Sequence, residues 1–548
     1  MRIRLFPVPA GAVALLLAAC ASHPRVPPPS TDIDDTLFRE QVRMLASDEF
    51  EGRKPGTPGE ERTLAYLVEQ FKKLGLKPGN GDSFLQPVPL MESTAGADAS
   101  LGIAGRGAAL TLAYGKDMVI WSRLGRPQAG LRGSGLVFAG YGIVAPEYAW
   151  DDYAGVDVRG KTVLVLMNDP GWGTKDPRVF RGGAMTYFGR AAYKIEEAAR
   201  QGAAGVLLIH DGDAAGYGWQ VVVNARSGAQ LDLPSNGGAR AAIEGWVRKE
   251  SAAAVFKAAG MDFAAAAAAA AHAGFKATPL GLEVDATLHE TVRQITSNNV
   301  VAVWPGGTRR REYVIYTAHW DHLGRDPSRA GHNIFNGAVD NATGVAGLVT
   351  LAQSFVRTKP VPDRSIVFLA FTAAEYGLLG SEYYVDHPVL PLRDTAAVLN
   401  LDGLRNGGPT RDLTILGDGN TDLEQYARAA ALLQGREVTP DPTPERGLYY
   451  RSDNFSFAKA GVPPLYAMRG LDDSARGPVW GRRQLDDYMA NRYGQPEDQY
   501  SPDWDVRGAV DDLTLYYAVG MRVAYSHRFP RWYPNSEFRV SREHGSAQ

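Results

Sequence analysis

The sequence has almost no cysteine: Cys20 is the only one among 548 residues. No internal disulfide can therefore form, and the stability of the folded chain must rest on burial of its core. The sequence also has no excess of positive charge, since its formal net charge is -3, and no stripe of Lys and Arg alternates with aromatic residues. Nucleic acid is accordingly not expected as a partner.

The N-terminal segment lacks the length to be a membrane span. Its apolar run, from Ala10 to Ala19 in MRIRLFPVPAGAVALLLAAC, is too short to cross a bilayer as a helix. Together with Arg2 and Arg4 it is typical of an export signal over residues 1–20. The residues up to Cys20 resemble a bacterial lipobox, which predicts lipidation of Cys20. A plain secretory signal with an incidental cysteine is the alternative.

These features predict a protein of the bacterial cell envelope. The proline-rich residues 21–31 are expected to form an extended tether between a lipid anchor and the folded body. The predicted location is the outer membrane, with the body facing the periplasm or the exterior.

The rest of the chain has the composition of a globular protein. Its apolar fraction is 45% and its charged fraction 22%, which supports a sizeable core. A length of 548 residues favours two packed units. We expect residues 32–103 and 288–535 to form one of them, residues 104–287 a β-rich insertion, and residues 536–548 a tail.

The first folded element is an amphipathic helix that begins after Thr57. Pro58 suits its first position and Glu60 predicts a capping box, while Gly75 can end it. Residues 104–287 have a different sequence pattern from the preceding segment: they contain short apolar runs and many glycines, which predict strands. After Val292, apolar strands alternate with helical patterns, which predicts an α/β class with a mostly parallel sheet flanked by helices.

Potential metal ligands stand where these predicted strands end. His319, Glu375 and Asp402 each follow a strand, and Asp340 precedes a helix. Because parallel strands end at one edge of a sheet, these side chains are expected to converge there. One imidazole with carboxylates suits zinc or a similar divalent ion.

Several motifs together resemble a known family. They are AHWDH, NGAVDNATGVAGL, GLLGSEYY, NLDG and YRSDNFSFAKAGVP, and they look like the co-catalytic zinc aminopeptidases related to glutamate carboxypeptidase II and to glutaminyl cyclases. The resemblance implies the zinc-exopeptidase (phosphorylase/hydrolase-like) fold with an inserted protease-associated domain. It also implies that the partners are peptides or protein N-termini.

The resemblance assigns a role to each residue. Asp340 would bridge two metal ions, with His319 and Asp402 completing one site, and Glu375 with a later histidine completing the other. Asp321 would orient His319 from outside the metal shell. The acid just before the glutamate ligand would be the general base that takes a proton from the attacking water.

Two of these positions depart from the family pattern. The position of the general base is Ala374, and the late histidine aligns with Gly494. Glu382, His322 and Glu497 are possible substitutes, although each is more simply a surface group or a group outside the metal shell. Glu375 and Asp340 alone are too few for a second site, so one zinc per chain is expected against two in intact relatives.

Three functions remain open at this point. The first is an exopeptidase with weak or lost activity, and the second is an inactive, envelope-anchored protein that binds peptides or a partner protein. Glutaminyl cyclisation is the third, although Ala374 and Gly494 count against it as well.

Overall fold

The structure is a computed structural model that describes residues 33–234 and 238–539. The predicted export signal, Cys20, the predicted tether and the tail beyond residue 539 lie outside these residues. Within the described ranges, no single helix is long and apolar enough to cross a membrane, and one bent pair, Lys249–Ala258 with Phe263–Ala270, meets that criterion only jointly.

Helices and strands are numbered here in chain order. The helices are α1 (Asp35–Leu45), α2 (Pro58–Lys73), α3 (Pro170–Thr174), α4 (Ala191–Arg200), α5 (Gly212–Ala215), α6 (Trp219–Arg226), α7 (Lys249–Ala258), α8 (Phe263–Ala270), α9 (Thr343–Arg357), α10 (Leu379–Asp386), α11 (Leu423–Leu433), α12 (Asn454–Lys459), α13 (Pro478–Asn491) and α14 (Arg507–Tyr525). The strands are β1 (Lys77–Pro78), β2 (Leu85–Ala95), β3 (Ser100–Gly105), β4 (Ala108–Leu112), β5 (Met118–Trp121), β6 (Gln128–Phe138), β7 (Val144–Ala145), β8 (Trp150–Asp151), β9 (Thr162–Leu166), β10 (Gly205–His210), β11 (Gln230–Asp232), β12 (Ile243–Arg248), β13 (Thr278–Trp304), β14 (Arg309–His319), β15 (Gly324–Arg325), β16 (Ile334–Phe335), β17 (Arg364–Phe371), β18 (Thr395–Asn400), β19 (Asp412–Leu416), β20 (Glu437–Thr439) and β21 (Pro464–Arg469).

The larger sheet is mixed, with a parallel centre. Strands β17, β14, β18 and β21 are parallel neighbours in that order. On one side β13 pairs antiparallel with β17, and β2 pairs antiparallel with β13. On the other side β19 pairs antiparallel with β21, and β20 lies parallel to β19. The predicted α/β class is confirmed, and its parallel strands are the central ones.

Helices cover both faces of this sheet. Alternate strand residues face opposite ways, so that Tyr316 and Phe368 contribute to one hydrophobic cluster while Ile315 and Val367 contribute to another. The first cluster includes residues of α1, α2, α9 and α14, and the second includes residues of α10 and α12. Burial on both faces explains why these strands read as continuous apolar runs.

A second sheet occupies residues between Ser100 and His289. Its order is β4, β3, β13, β6, β9, β10, β12 and β5, and β6, β9, β10 and β12 are parallel neighbours. The first half of β13 belongs to this sheet and the second half to the larger one. The boundaries predicted for an insertion, 104–287, remain a prediction.

The predicted helix after Thr57 is α2, and its apolar side joins the core of the larger sheet. Phe71 stacks on Phe368 with ring centroids 6.2 Å apart. The predicted capping box does not form: the Thr57 side chain makes no cap bond, and Glu60 instead accepts a hydrogen bond from the Gly56 amide and another from Ser297. The carboxylate of Glu60 therefore ties the start of α2 to β13.

Candidate metal centre

The predicted metal ligands converge at the carboxyl edge of the parallel strands. His319 is the last residue of β14, Glu375 lies in a short turn after β17, and Asp402 follows β18. Asp340 lies in the loop before α9. Because these strands are parallel neighbours, the loops that follow them meet at one edge of the sheet.

A first cluster contains His319, Asp340 and Asp402. The Nε2 atom of His319 is 3.4 Å from Asp340 Oδ1 and 3.5 Å from Asp402 Oδ1. On its other side, His319 Nδ1 lies 3.1 Å from the backbone oxygen of Asp321. A proton on Nδ1 can be donated to that carbonyl, and the other ring nitrogen, Nε2, faces the two carboxylates.

A second cluster contains His322, Asp340 and Glu375. His322 is fully buried, and its Nδ1 is 2.5 Å from Glu375 Oε1. Its Nε2 has no hydrogen-bond partner among the described residues. Sequence reasoning offered His322 as a possible substitute but favoured a position outside the metal shell for it, whereas the structure places it beside the carboxylates. The structure therefore gives Glu375 and Asp340 a third neighbour, His322, and the expected number of zinc ions per chain stays a prediction.

The two clusters share Asp340 and fit a pair of divalent cations. Two imidazoles and three carboxylates are donors that zinc accepts. The site is also strongly negative: although burial lowers the pKa of His319, its hydrogen bonds to Asp340 and Asp402 raise that pKa well above its ordinary value. Carboxylates gathered around buried imidazoles favour the binding of a cation.

Asp321 lies beside His319, but its carboxylate makes its hydrogen bonds elsewhere. Its carboxylate accepts hydrogen bonds from the backbone amides of Ala374, at 2.9 Å, and Glu375, at 3.3 Å. Its Oδ1 lies 3.8 Å from His319 Nδ1, beyond hydrogen-bond distance. The carboxylate therefore holds the turn that carries Glu375, and the backbone oxygen of Asp321 orients His319.

Two supporting residues were missed by sequence reasoning. Asp498 is buried and accepts hydrogen bonds from the amides of Val339 and Asp340, at 3.1 and 3.0 Å, and burial raises its pKa to about 6. Ser452 donates a hydrogen bond to Asp402 Oδ2 at 2.5 Å. In the sequence, the motifs that could have pointed to these residues are QPEDQY, which contains Asp498, and RSDN, which contains Ser452.

The two departures from the family pattern lie in different surroundings. Ala374 lines the cavity above the clusters and is 9% exposed. Gly494 is outside both clusters, and its backbone oxygen accepts a hydrogen bond from Asn224 of α6. Of the other proposed substitutes, Glu497 is exposed and pairs with Arg329, and Glu382 lies in α10 away from the cavity lining. His322 is thus the substitute that the structure brings into the site.

A cavity of about 130 Å³ opens above the clusters. His319, Asp340, Glu375 and Asp402 form its floor. Its walls combine apolar side chains from several elements with four arginines. The apolar and arginine residues of the walls include Leu378, Leu448, Leu485, Met468, Met489, Arg405, Arg446, Arg451 and Arg469. A mainly apolar cleft over convergent polar groups is the usual form of a small-molecule or peptide site.

Known proteins resemble this chain in the region of the clusters. Residues 299–518 match the model of peptidase family M28. The aminopeptidase NAALADL1 of Mus musculus is 31% identical over 129 residues, which cover 23% of this chain and 16% of that protein. The aminopeptidase YwaD of Bacillus subtilis is 37% identical over 94 residues, covering 17% of this chain and 18% of that protein. The chain thus spans less than a fifth of the length of either relative.

A solved structure resembles the chain over a longer range. The aminopeptidase from Aneurinibacillus sp. strain AM-1 covers 90% of this chain and 94% of its own, with 20% identity and a TM-score of 0.49. The resemblance expected from the motifs is confirmed by the match of residues 299–518 to the model of peptidase family M28, which covers less than half of the chain.

Proposed function

We propose that the protein is a zinc-dependent exopeptidase that removes N-terminal residues from peptides, and that its turnover is slow. The observation that supports this most directly is the Asp340 carboxylate shared by two His-containing clusters on the floor of a cavity. Residues 299–518, which contain both clusters, match the model of peptidase family M28, and curated relatives of the chain are named as aminopeptidases.

We further propose that two zinc ions bind per chain, one at each cluster. Zinc at these positions would polarise the peptide carbonyl and lower the pKa of an attacking water. His319 and Asp402 would hold one ion, His322 and Glu375 the other, and Asp340 both. Asp498 keeps Asp340 in place because it accepts hydrogen bonds from the backbone amides of Val339 and Asp340.

The slow turnover follows from Ala374. Ala374 lines the cavity, and its methyl side chain cannot accept a proton from water or pass one to the departing amine. General-base assistance contributes roughly 10²–10⁴-fold in rate. The protein would therefore keep the means to bind and polarise a peptide while lacking the group that carries the proton.

A second candidate function is peptide binding without hydrolysis. The same observation, an alanine facing the cavity beside complete metal clusters, favours it. Anchoring in the envelope through lipidated Cys20 remains a proposal for either function. It is tested by Cys20→Ala, which should move the protein from the membrane fraction to the soluble periplasm.

Zinc content and hydrolysis measured on the same protein test the proposal. We expect two zinc equivalents per chain by elemental analysis, and one in each of His319→Asn and His322→Asn. His289→Asn, an exposed histidine outside the clusters, should keep two. Release of p-nitroaniline from aminoacyl p-nitroanilides should be slow and abolished by a chelator. Two equivalents retained in His322→Asn would contradict the second site, and no measurable release would leave the binding function.

A further inference from the structure

The cavity wall above the metal clusters is rich in arginine. Arg405, Arg446, Arg451 and Arg469 all line it. Outside the clusters, Asp441 is the one acid among the lining residues that the structure describes. The wall therefore carries more positive charge than its own acids balance.

Three of these arginines have no carboxylate partner. Arg469 lies 3.9 Å from Asp473, but Arg405, Arg446 and Arg451 form no ion pair within 4.0 Å among the described residues. Asp441 accepts hydrogen bonds from the amide and the hydroxyl of Thr443. Asp441 forms no ion pair within 4.0 Å with the described arginines and attracts Arg446 and Arg405 only from a longer distance.

Burial makes the lack of partners significant. Arg446 is 8% exposed, and its Nε is buried without a hydrogen-bond partner. The Nε of Arg405 is also buried and unpartnered, and its Nη2 reaches only the backbone oxygen of Arg469. A buried guanidinium that donates to no anion pays a desolvation penalty without compensation. Such groups in the wall of a cavity indicate that the missing acceptor belongs to a ligand.

The neighbouring side chains hold these guanidinium groups in place. Arg451 donates to the hydroxyl of Tyr493 at 3.0 Å and stands over the ring of Tyr217, 4.9 Å from its centroid. Gly216, next to Tyr217, packs so closely on Arg446 that a Cβ there would lie 2.5 Å from Arg446 Cγ. The segment between α5 and α6 therefore packs against the arginine wall from outside.

We infer that the cavity binds a peptide through one of its carboxylates, with Arg405 and Arg446 as the groups that recognise it. This inference rests on the proposed function, which makes a peptide the ligand. A guanidinium recognises a carboxylate by paired, charge-assisted hydrogen bonds. The carboxylate could belong to an acidic side chain or to the C-terminus of a short peptide.

Three matched pairs of dipeptides separate these sources, because the members of each pair differ by one charge. Glutamyl-alanine amide against glutaminyl-alanine amide tests the first side chain. Alanyl-glutamic amide against alanyl-glutamine amide tests the second side chain. Alanyl-alanine against its amide tests the terminus. Affinities would be measured by titration calorimetry on the zinc-loaded full-length protein, with the peptide checked for intactness afterwards.

We expect the charged member of at least one pair to bind about 10-fold or more tightly than its neutral partner. In Arg446→Gln and in Arg405→Gln that preference should fall below about 3-fold, with zinc content unchanged, since neither residue belongs to the clusters. Arg411→Gln is the matched control, because Arg411 is exposed and pairs with Asp472. Should Arg446→Gln fail to fold in a thermal unfolding check, Arg405→Gln alone decides.

Other outcomes would overturn the inference. Equal binding within each pair would leave the proposed peptide function intact and remove the role of the carboxylate. A preference that persists in both arginine variants would show that other groups recognise the charge. If none of the dipeptides bound at all, both the inference and the proposed peptide function would fall.

Discussion

The rate of hydrolysis is expected to depend most strongly on the side chain at position 374. The amide of Ala374 is held by Asp321, and this residue lines the cavity next to Glu375, so a longer side chain at this position lies beside the metal clusters. We expect Ala374→Glu to raise the rate of p-nitroanilide hydrolysis roughly 10²–10⁴-fold, because it supplies a general base. Ala374→Gln, similar in size but unable to take a proton, should leave the rate near that of the unmodified chain. Equal gains from both variants would contradict a proton-transfer role.

Residue 494 is expected to behave differently. Gly494 has a φ of +63°, and a Cβ there would lie 3.0 Å from Val221 Cγ1. We expect Gly494→His to destabilise the protein by about 1–2 kcal/mol through backbone strain and crowding. It should add no zinc, since His322 already completes the second cluster. Denaturant unfolding and elemental analysis would check both points, and a variant that gained zinc without loss of stability would contradict them.

The sequence was informative about site residues that end a predicted strand. His319, Glu375 and Asp402 could be placed together because parallel strands end at one edge. His322 could not, since it lies three residues beyond a strand end and its direction depends on the loop. Gly337 allows its burial, because a Cβ there would lie 2.5 Å from His322 Cδ2. That contact joins segments that no local pattern connects.

At the scale of elements, one buried arginine joins the loops that carry the site. Arg53, 1% exposed, donates to the backbone oxygens of Leu45, Trp320, Asn336 and Gly337. These oxygens belong to the end of α1 and to the loops on either side of His322. A charged donor shared among four carbonyls fixes those loops relative to one another.

Replacing Arg53 should therefore damage stability and zinc binding together. We expect Arg53→Met to lower the free energy of unfolding by about 3 kcal/mol or more, because buried carbonyls lose their partner. Zinc affinity should fall as the loops loosen. Arg62→Met is the control: Arg62 is largely exposed and pairs with Glu51 on the surface, so its loss should change stability by less than about 1 kcal/mol. Normal zinc affinity in Arg53→Met would contradict this role.

Most helices and strands could be predicted from the pattern of apolar residues, but the hydrogen bonds made at their ends could not. The apolar run before His319 and the buried stripe at Val345 and Phe355 correspond to β14 and α9. The predicted capping box at Thr57 does not form, because the Glu60 carboxylate accepts a hydrogen bond from Ser297, which lies far along the chain. Local signals fix a helix start, but the bonds made there depend on whichever segment packs beside it.

At the scale of the whole molecule, β13 links the two sheets. It runs unbroken over 27 residues, pairing with β3 and β6 in one sheet and with β2 in the other. Further bonds join the sheets near the site, where Asn168 donates to the oxygen of Glu445 and Asn224 to that of Gly494. The region of the second sheet therefore contacts segments near the cavity, and a strand shared between the two sheets couples their folding.

Glu290 lies on β13 where its pairing passes from one sheet to the other, and it should make stability depend on pH. Burial raises its pKa from 4.5 to about 7, with a weaker opposing effect of the Ser122 amide. Between these values the folded chain binds more protons than the unfolded chain, so the free energy of unfolding falls as pH rises from 4.5 to 7.

The substitution Glu290→Gln should remove this decrease in the free energy of unfolding, because glutamine does not titrate. The variant should match the unmodified chain near pH 4.5 and exceed it at pH 8 by up to about 3 kcal/mol in denaturant unfolding. Glu283→Gln, at an exposed position of the same strand, should show no such gain. A difference between Glu290→Gln and the unmodified chain that stayed constant from pH 4.5 to pH 8 would mean that Glu290 is not the group responsible.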